Sequence, residues 1–275
     1  MYQEKVNFVV DKSKCIGCGK CLNVCPGNMV GGNVLNFKDG CPDMIDQTNV
    51  GTWKGCWKCQ HCLAVCPTGA ISIFGIKPED VPEKPSEKIK EDLSKLIAYR
   101  RSCRSFLKKD VEKTIIDSIL NSLNNMPTGG NNQSLEFSIV ETRSAMKQIY
   151  HAVFRKSQIS LFAEEETDDF SKLRLYDAPC LFIAHKAKDE RFQDGPIVEI
   201  NIATAYFELL ANANDLGTVI STYAAEQLSK SKEARKLLRI PDNHEVMVVV
   251  GFGYPEIKYA RGVKKDRSRK MHRIR

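Results

Sequence analysis

The sequence predicts an α+β protein in two parts, a small cysteine-rich module followed by a mixed domain of helices and strands. Three observations predict it. Eight of the eleven cysteines, all between residues 15 and 66, fall into one spacing written twice. Residues 77–92 hold Pro78, Pro82 and Pro85 among charged side chains, the composition of a semi-extended linker. Beyond them, segments of helical periodicity are interrupted by short apolar runs of strand length. The chain therefore divides into a module at residues 1–76, a linker at 77–92 and a larger domain at 93–275.

The doubled spacing carries the module. Cys15, Cys18, Cys21 and Cys25-Pro26 form one copy; Cys56, Cys59, Cys62 and Cys66-Pro67 form the other. Each reads C-x2-C-x2-C-x3-C-P. Three closely spaced thiolates take three irons of one cubane, and the fourth cysteine reaches the other cluster. The expected sets are Cys15, Cys18, Cys21 and Cys66 for cluster one, and Cys56, Cys59, Cys62 and Cys25 for cluster two. Zinc sites pair two C-x2-C dyads. Disulfide scaffolds belong to small secreted domains, and residues 1–14 lack the apolar core of a secretory signal. The module resembles a bacterial-type 2[4Fe-4S] ferredoxin with a lengthened loop, since thirty residues separate Cys25 from Cys56. Cys41, inside that loop, is expected to be a free structural thiol, and His61 a solvated spacer.

In the larger domain, residues 93–99 read as a short helix. Asp110 reads as the N-cap of a second, with Val111, Ile115, Ile116, Ile119, Leu120 and Leu123 at helical spacing. Pro127, Thr128, Gly129 and Gly130 signal a loop. Residues 135–140 read as a strand, 145–162 as a helix and 179–184 as a buried strand. Residues 197–216 form a long apolar helix, central or at a subunit interface, closed by Gly217. Val219 and Ile220 suit a short strand, residues 232–238 a helix and 247–252 a strand. No G-x-G-x-x-G occurs, so no dinucleotide fingerprint is present. No run of 18 apolar residues exists, so no membrane span is expected. The thiol usage suits a reducing, cytoplasmic setting.

The net charge of +7 is unevenly placed. Residues 258–275 hold nine Lys and Arg against Asp266, a net +8 that leaves −1 for the rest. The tail lacks interleaved aromatics, so its charge does not by itself make a nucleic-acid surface.

Three motifs follow one another in the larger domain. Arg100, Arg101 and Arg104 bracket Ser102, a set of guanidinium forks and a hydroxyl suited to phosphate. Pro127-Thr128-Gly129-Gly130-Asn131-Asn132-Gln133 is a glycine turn ending in amides, whose donors and acceptors match the pyrimidine edge of an isoalloxazine. Gly253-Tyr254-Pro255 closes a strand before the tail. In this order, with Gly217-Thr218 between the last two, they resemble the nitroreductase family of FMN enzymes over about residues 93–266. The resemblance implies an α+β fold that dimerises by exchange of elements, with FMN at the interface. It assigns Arg100, Arg101, Ser102 and Arg104 to the FMN phosphate. It assigns Thr128, Gly129, Asn131 and Gln133 to the flavin bound mainly by the partner chain. Ser221 and Thr222 align with the segment whose backbone reaches the flavin N5 region, and Lys265 and Arg267 are expected to complete the phosphate site.

Ser134 and Leu135 stand where family members often continue with Pro and Trp. Val219 to Thr222 stand where Trp and Gly often follow Gly-Thr. The pocket over the ring is therefore expected to differ from theirs. Cys103 and Cys180 read as packed thiols, and the five histidines show no metal-ligand spacing.

The chain as a whole resembles a ferredoxin–nitroreductase fusion. That implies two [4Fe-4S] clusters supplied by an external low-potential donor, and an FMN that passes electrons to a nitroaromatic or quinone-like acceptor, with no side-chain acid or base. The alternative is a carrier that hands electrons through FMN to another protein. A redox-sensing nucleic-acid binder would need the tail to bind DNA strongly.

Overall fold

The computed structural model describes residues 5–154, 173–188, 195–264 and 272–274. They form two compact units, Met1–Ser86 with Thr128–Gln133, and Glu87–Pro127 with Ser134–Arg275.

The first unit is built on its repeat. A short antiparallel pair, β1 (Val9–Val10) with β4 (Ile71–Ser72), joins the two ends of the module. Helix α1 (Lys20–Asn23) follows the first three cysteines and α3 (His61–Ala64) follows the corresponding part of the second copy. Helix α2 (Pro26–Met29) starts at Cys25, where Pro26 suits the first helical position. The lengthened loop folds as a hairpin, β2 (Leu35–Lys38) with β3 (Cys41–Met44), in register Leu35 to Met44. Asn28 anchors it: its amide donates to Leu35 O at 2.9 Å and its carbonyl oxygen accepts from Val34 N and Leu35 N. Val6, Phe8, Leu35, Met44, Leu63, Ile71 and Ile73 form the core with the inner cysteines.

The second unit is a four-stranded antiparallel sheet between helices. Its strands are β5 (Glu136–Val140), β6 (Cys180–Ala187), β7 (Gly217–Ile220) and β8 (His244–Gly253), in the order β5-β6-β8-β7. Alternation along β6 divides the core. Phe182 and Ala184 face α5 (Lys113–Leu123) and α7 (Gly195–Ala213), with Phe207 stacked on Phe182 at 4.2 Å. Leu181 and Ile183 face α6 (Arg143–Phe154), α8 (Thr222–Lys230) and α9 (Lys232–Leu237). Helix α4 (Ile89–Tyr99) precedes the arginine turn and buries none of its residues; Leu93 and Ile97 stay exposed.

The sequence reading is corrected at several places. Helix α7 ends at Ala213, and Gly217, expected to close it, opens β7 instead. Helix α4 starts four residues before the expected 93, so residues 89–92 of the expected linker are helical and belong to the second unit. Asp110 does not cap α5; its carboxylate accepts from Arg143 N, at the first residue of α6, at 2.8 Å. Helix α8 was not expected. Its N-cap is Ser221, whose hydroxyl accepts from Ala224 N. The expected continuation of α6 to 162 runs into residues outside those described.

Candidate cofactor sites

The repeat gathers its cysteines in crossed fours. One cavity is lined by Cys15, Cys18, Cys21 and, from the other copy, Cys66. Cys25 acts electrostatically on Cys56, Cys59 and Cys62, so the second set is crossed in the opposite sense. The backbone repeats too. Gly17 and Gly19 are left-handed (φ +62° and +70°), and so are Lys58 and Gln60, which occupy the same places in the second copy (φ +58° and +56°). Glycine accepts that conformation freely, whereas lysine and glutamine resist it. The ligand spacing therefore imposes one loop shape on two different sequences.

Burial alone would keep most of these thiols protonated; their convergence in fours, not their acidity, sets them apart from the packed thiols. Burial raises the thiol pKa of Cys21, Cys56 and Cys59, and pushes Cys62 to about 12, with neighbouring cysteines adding repulsion. Burial also raises Cys66, but hydrogen bonds from Ala70 N (3.2 Å) and around Thr68 outweigh it, and its pKa falls. Four thiols converging in a partly buried pocket are held apart most effectively by metal ions that displace their protons. Iron–sulfur cubanes fit that donor set. Cys41 is not isolated, since its side chain hydrogen-bonds Cys15. His61 is exposed at the start of α3.

The arginine turn is built by pairing at both ends. Ser102 bridges Thr218 in parallel, and Cys103 N donates to Thr218 O at 2.8 Å. Phe106 bridges Pro255, and Glu256 N donates to Ser105 O at 3.0 Å. Gly217 is required beneath the turn, because a Cβ there would meet Cys103 Cβ at 2.6 Å. The chain after β8 then runs alongside: Tyr99 Oη donates to Tyr259 O, and Val263 N to Ala98 O.

These contacts border a cavity of about 490 Å³ whose lining includes the polar Arg101, Ser102, Arg104 and Lys258 and the apolar or aromatic Leu107, Leu216, Tyr254 and Ile257. Its size is that of a cofactor pocket. Cationic groups and a hydroxyl in the lining suit a phosphate, and aromatic and aliphatic side chains suit a ring system. An FMN-type ligand fits this donor set. Asp215 supplies the opposing carboxylate.

The structure brings some expected site residues together and not others. Arg101, Ser102 and Arg104 line the cavity; Arg100 instead pairs with Glu208 at 3.2 Å, and Glu208 in turn accepts from Thr218 Oγ1. Thr128, Gly129, Asn131 and Gln133 belong to the first unit, where Asn131 Nδ2 donates to Trp57 O at 2.8 Å. Ser221 is buried, with its N–H on Val249 O and its hydroxyl donating to Leu173 O; Thr222 is exposed. Lys265 and Arg267 lie outside the described residues. Lys258, seven residues before Lys265, was missed; its signal was its place in the basic run just after Gly253-Tyr254-Pro255. Cys103 is a packed thiol, raised by burial and donating to Ser105 O, and burial pushes Cys180 to about 12.

Two of the five histidines also meet. His185 and His244 lie with Nδ1 atoms 2.9 Å apart, beside Glu136. Burial lowers the His185 pKa, with His244 adding to the effect. No sequence spacing announced them, because the contact crosses strands.

Comparison with known proteins assigns a family to each part of the chain. Residues 97–254 match the model of the nitroreductase family, and residues 14–70 match the 4Fe-4S dicluster domain. An uncharacterized ferredoxin of Methanocaldococcus jannaschii is 36% identical over 84 residues, covering 30% of this chain and 97% of its own length. A protein of Archaeoglobus fulgidus, provisionally named NADH dehydrogenase/NAD(P)H nitroreductase, is 26% identical over 60% of this chain and 87% of its own. An iodotyrosine dehalogenase homolog of Caenorhabditis elegans is 26% identical over 56% of this chain, which spans about half (52%) of that relative's length. In fold, the chain resembles a nitroreductase with bound FMN from Desulfitobacterium hafniense, at a TM-score of 0.51 and 18% identity, over 69% of this chain and all of that one. Among the described residues no helix is long and apolar enough to cross a membrane. The chain belongs to the nitroreductase family of FMN-dependent oxidoreductases, and it carries a 4Fe-4S dicluster ferredoxin domain on the same polypeptide.

Proposed function

We propose that this protein is an iron–sulfur flavoprotein that passes electrons from two [4Fe-4S] clusters to FMN and on to an organic acceptor, nitroaromatic or quinone-like. The observation that carries the reading is the cavity of about 490 Å³ flanked by Arg101, Ser102, Arg104 and Lys258, on a chain that also gathers two crossed cysteine quartets. FMN, when bound, supplies the exchange between one-electron and two-electron chemistry.

The residues of the chain hold and orient. Arg104 presents guanidinium donors to the phosphate and Ser102 adds a hydroxyl, while Arg101, whose guanidinium donates to Arg100 O and Ala98 O, contributes positive charge at the cavity wall. Arg100 supports the turn through Glu208. Leu107, Leu216 and Tyr254 offer apolar and aromatic surface to the ring system in this reading. Thr128, Gly129, Asn131 and Gln133 contact the flavin of a partner subunit in this reading, and Ser221 and Thr222 lie near its reactive edge. Lys265 and Arg267 extend the phosphate site. A homodimer is part of the proposal. Leu93 and Ile97 on α4, and Ile197 and Val198 on α7, are exposed apolar side chains that a second copy would cover.

The test is anaerobic turnover of a nitroaromatic and a quinone by purified protein, with a low-potential donor. Consumption that scales with bound FMN supports the reading. Reduction of the flavin with no acceptor consumed, unless a second protein is added, favours the carrier alternative.

A further inference from the structure

One side-chain cluster in the second unit plays no part in either cofactor site. Glu136 on β5, His185 on β6 and His244 on β8 come from three neighbouring strands. Each offers a ligand-type atom within 4.8 Å of the other two. His185 and His244 are buried, while the Glu136 carboxylate reaches the surface.

An irregularity in the sheet creates the meeting. Ile183 pairs with Val249 and Ala184 with Val248, but His185 then pairs with Val246. Met247 is the extra residue. Without that bulge, alternation would place Met247 and Glu245 on the face that carries Ile183 and His185. With it, Val246 and His244 turn to that face instead. Bulges re-aim side chains in this way next to functional sites.

The surroundings set the imidazoles up as ligands. Ser138 Oγ donates to Leu238 O at 2.8 Å and lies 3.0 Å from His185 Nε2. With its proton committed to the carbonyl, Ser138 accepts from His185 Nε2–H, which leaves the Nδ1 lone pair facing His244. A metal-binding histidine is commonly fixed by such a hydrogen bond from its far nitrogen. His244 offers one nitrogen to an ion: its Nδ1 lies 2.9 Å from His185 Nδ1, and one ligand-type atom on each of the three side chains lies within 4.8 Å of the other two. Zinc bonds of about 2.0–2.2 Å require ligand atoms a little over 3 Å apart, and rotation of the exposed Glu136 side chain towards the two imidazoles closes the set. Arg235, which donates to His244 O at 2.9 Å, is the opposing charge nearby.

We propose that Glu136, His185 and His244 form a binding site for a divalent late first-row transition metal, with Zn²⁺ the best match to two imidazoles and a carboxylate. Loading exchanges the imidazole–imidazole hydrogen bond for coordinate bonds, and His244 keeps its one proton on the nitrogen turned away from the ion. The ion would clamp β5, β6 and β8 together at one end of the sheet.

The test uses the cluster-loaded protein, whose ligand cysteines are occupied, titrated with Co²⁺ and followed by its visible d–d absorption. The expected result is uptake without the near-ultraviolet charge-transfer bands of cobalt–thiolate bonds. Affinity should fall about 10-fold or more in Glu136→Gln, which changes an exposed side chain, and uptake should vanish in His244→Gln. Absence of uptake, thiolate bands from Cys41, Cys103 or Cys180, or equal uptake by wild type and both variants would overturn the proposal.

Discussion

Ser102 bridges Thr218 in parallel, and the N–H of the next residue, Cys103, donates to Thr218 O at 2.8 Å. This pairing joins the arginine turn to β7, an edge strand of the sheet. A cluster of arginines on a free loop would be a solvated surface. Pinned here, Arg101 and Arg104 line a cavity instead.

Arg104→Ala removes a charged donor from the phosphate side. The expected loss in FMN affinity is roughly 1.5–3 kcal/mol, the usual value of a hydrogen bond to a charged group. Titration of apoprotein with FMN, followed by flavin fluorescence, measures it. Unchanged retention contradicts the phosphate assignment.

Gly217→Ala forces a Cβ to within 2.6 Å of Cys103 Cβ and 2.8 Å of its Sγ. Overpacking of this kind costs about 1–3 kcal/mol, and the displaced turn should also weaken FMN. Denaturant unfolding should show Cys103→Ala restoring part of the loss in the double variant. No rescue would place the strain elsewhere.

Crossed ligation makes the fourth cysteine of each copy diagnostic. Cys66→Ser should perturb the cluster held by Cys15, Cys18 and Cys21, and Cys25→Ser the other. Electron paramagnetic resonance of the reduced variants separates the two. If Cys66→Ser altered only the cluster of its own repeat, the crossing would be wrong.

Tyr254 donates its hydroxyl to Glu112, and that bond pushes the phenol pKa to about 12 and holds the carboxyl at about 2. Lys109 also contributes to Glu112. The Glu112 contribution to stability is present above the ordinary carboxyl pKa and is lost as pH falls through about 2. The Tyr254 contribution is present below the ordinary phenol pKa and is lost as pH rises through about 12. A difference absorbance titration of wild type against Tyr254→Phe should show one phenol ionising near 12. Glu112→Gln should bring it back toward 10.

Local spacing made much of this legible in advance. The cysteine repeat depends on turn geometry, so C-x2-C-x2-C-x3-C-P announced the crossed sets without any tertiary information. Strands β6 and β8 are continuous apolar runs, and their pattern located them. Helix α8 escaped because its start is a polar cap, Ser221 followed by Thr222, and not an apolar stripe. Asp110 misled because a capping side chain can serve a helix remote in sequence, here α6. The Glu136–His185–His244 cluster was illegible because a one-residue bulge in β8 inverts the alternation that a sequence reader would project. Arg100 looked equivalent to its neighbours until Glu208, on α7, claimed it.

The central claim is that electrons in the clusters reach the flavin of the same protein. Rapid anaerobic mixing of FMN-loaded protein with a low-potential donor tests it most directly, with cluster and flavin absorbance followed together. The account predicts that cluster bleaching precedes flavin bleaching, and that the second phase is slowed or lost in Cys25→Ser and Cys66→Ser. Flavin that stays oxidised beside fully reduced clusters would contradict it.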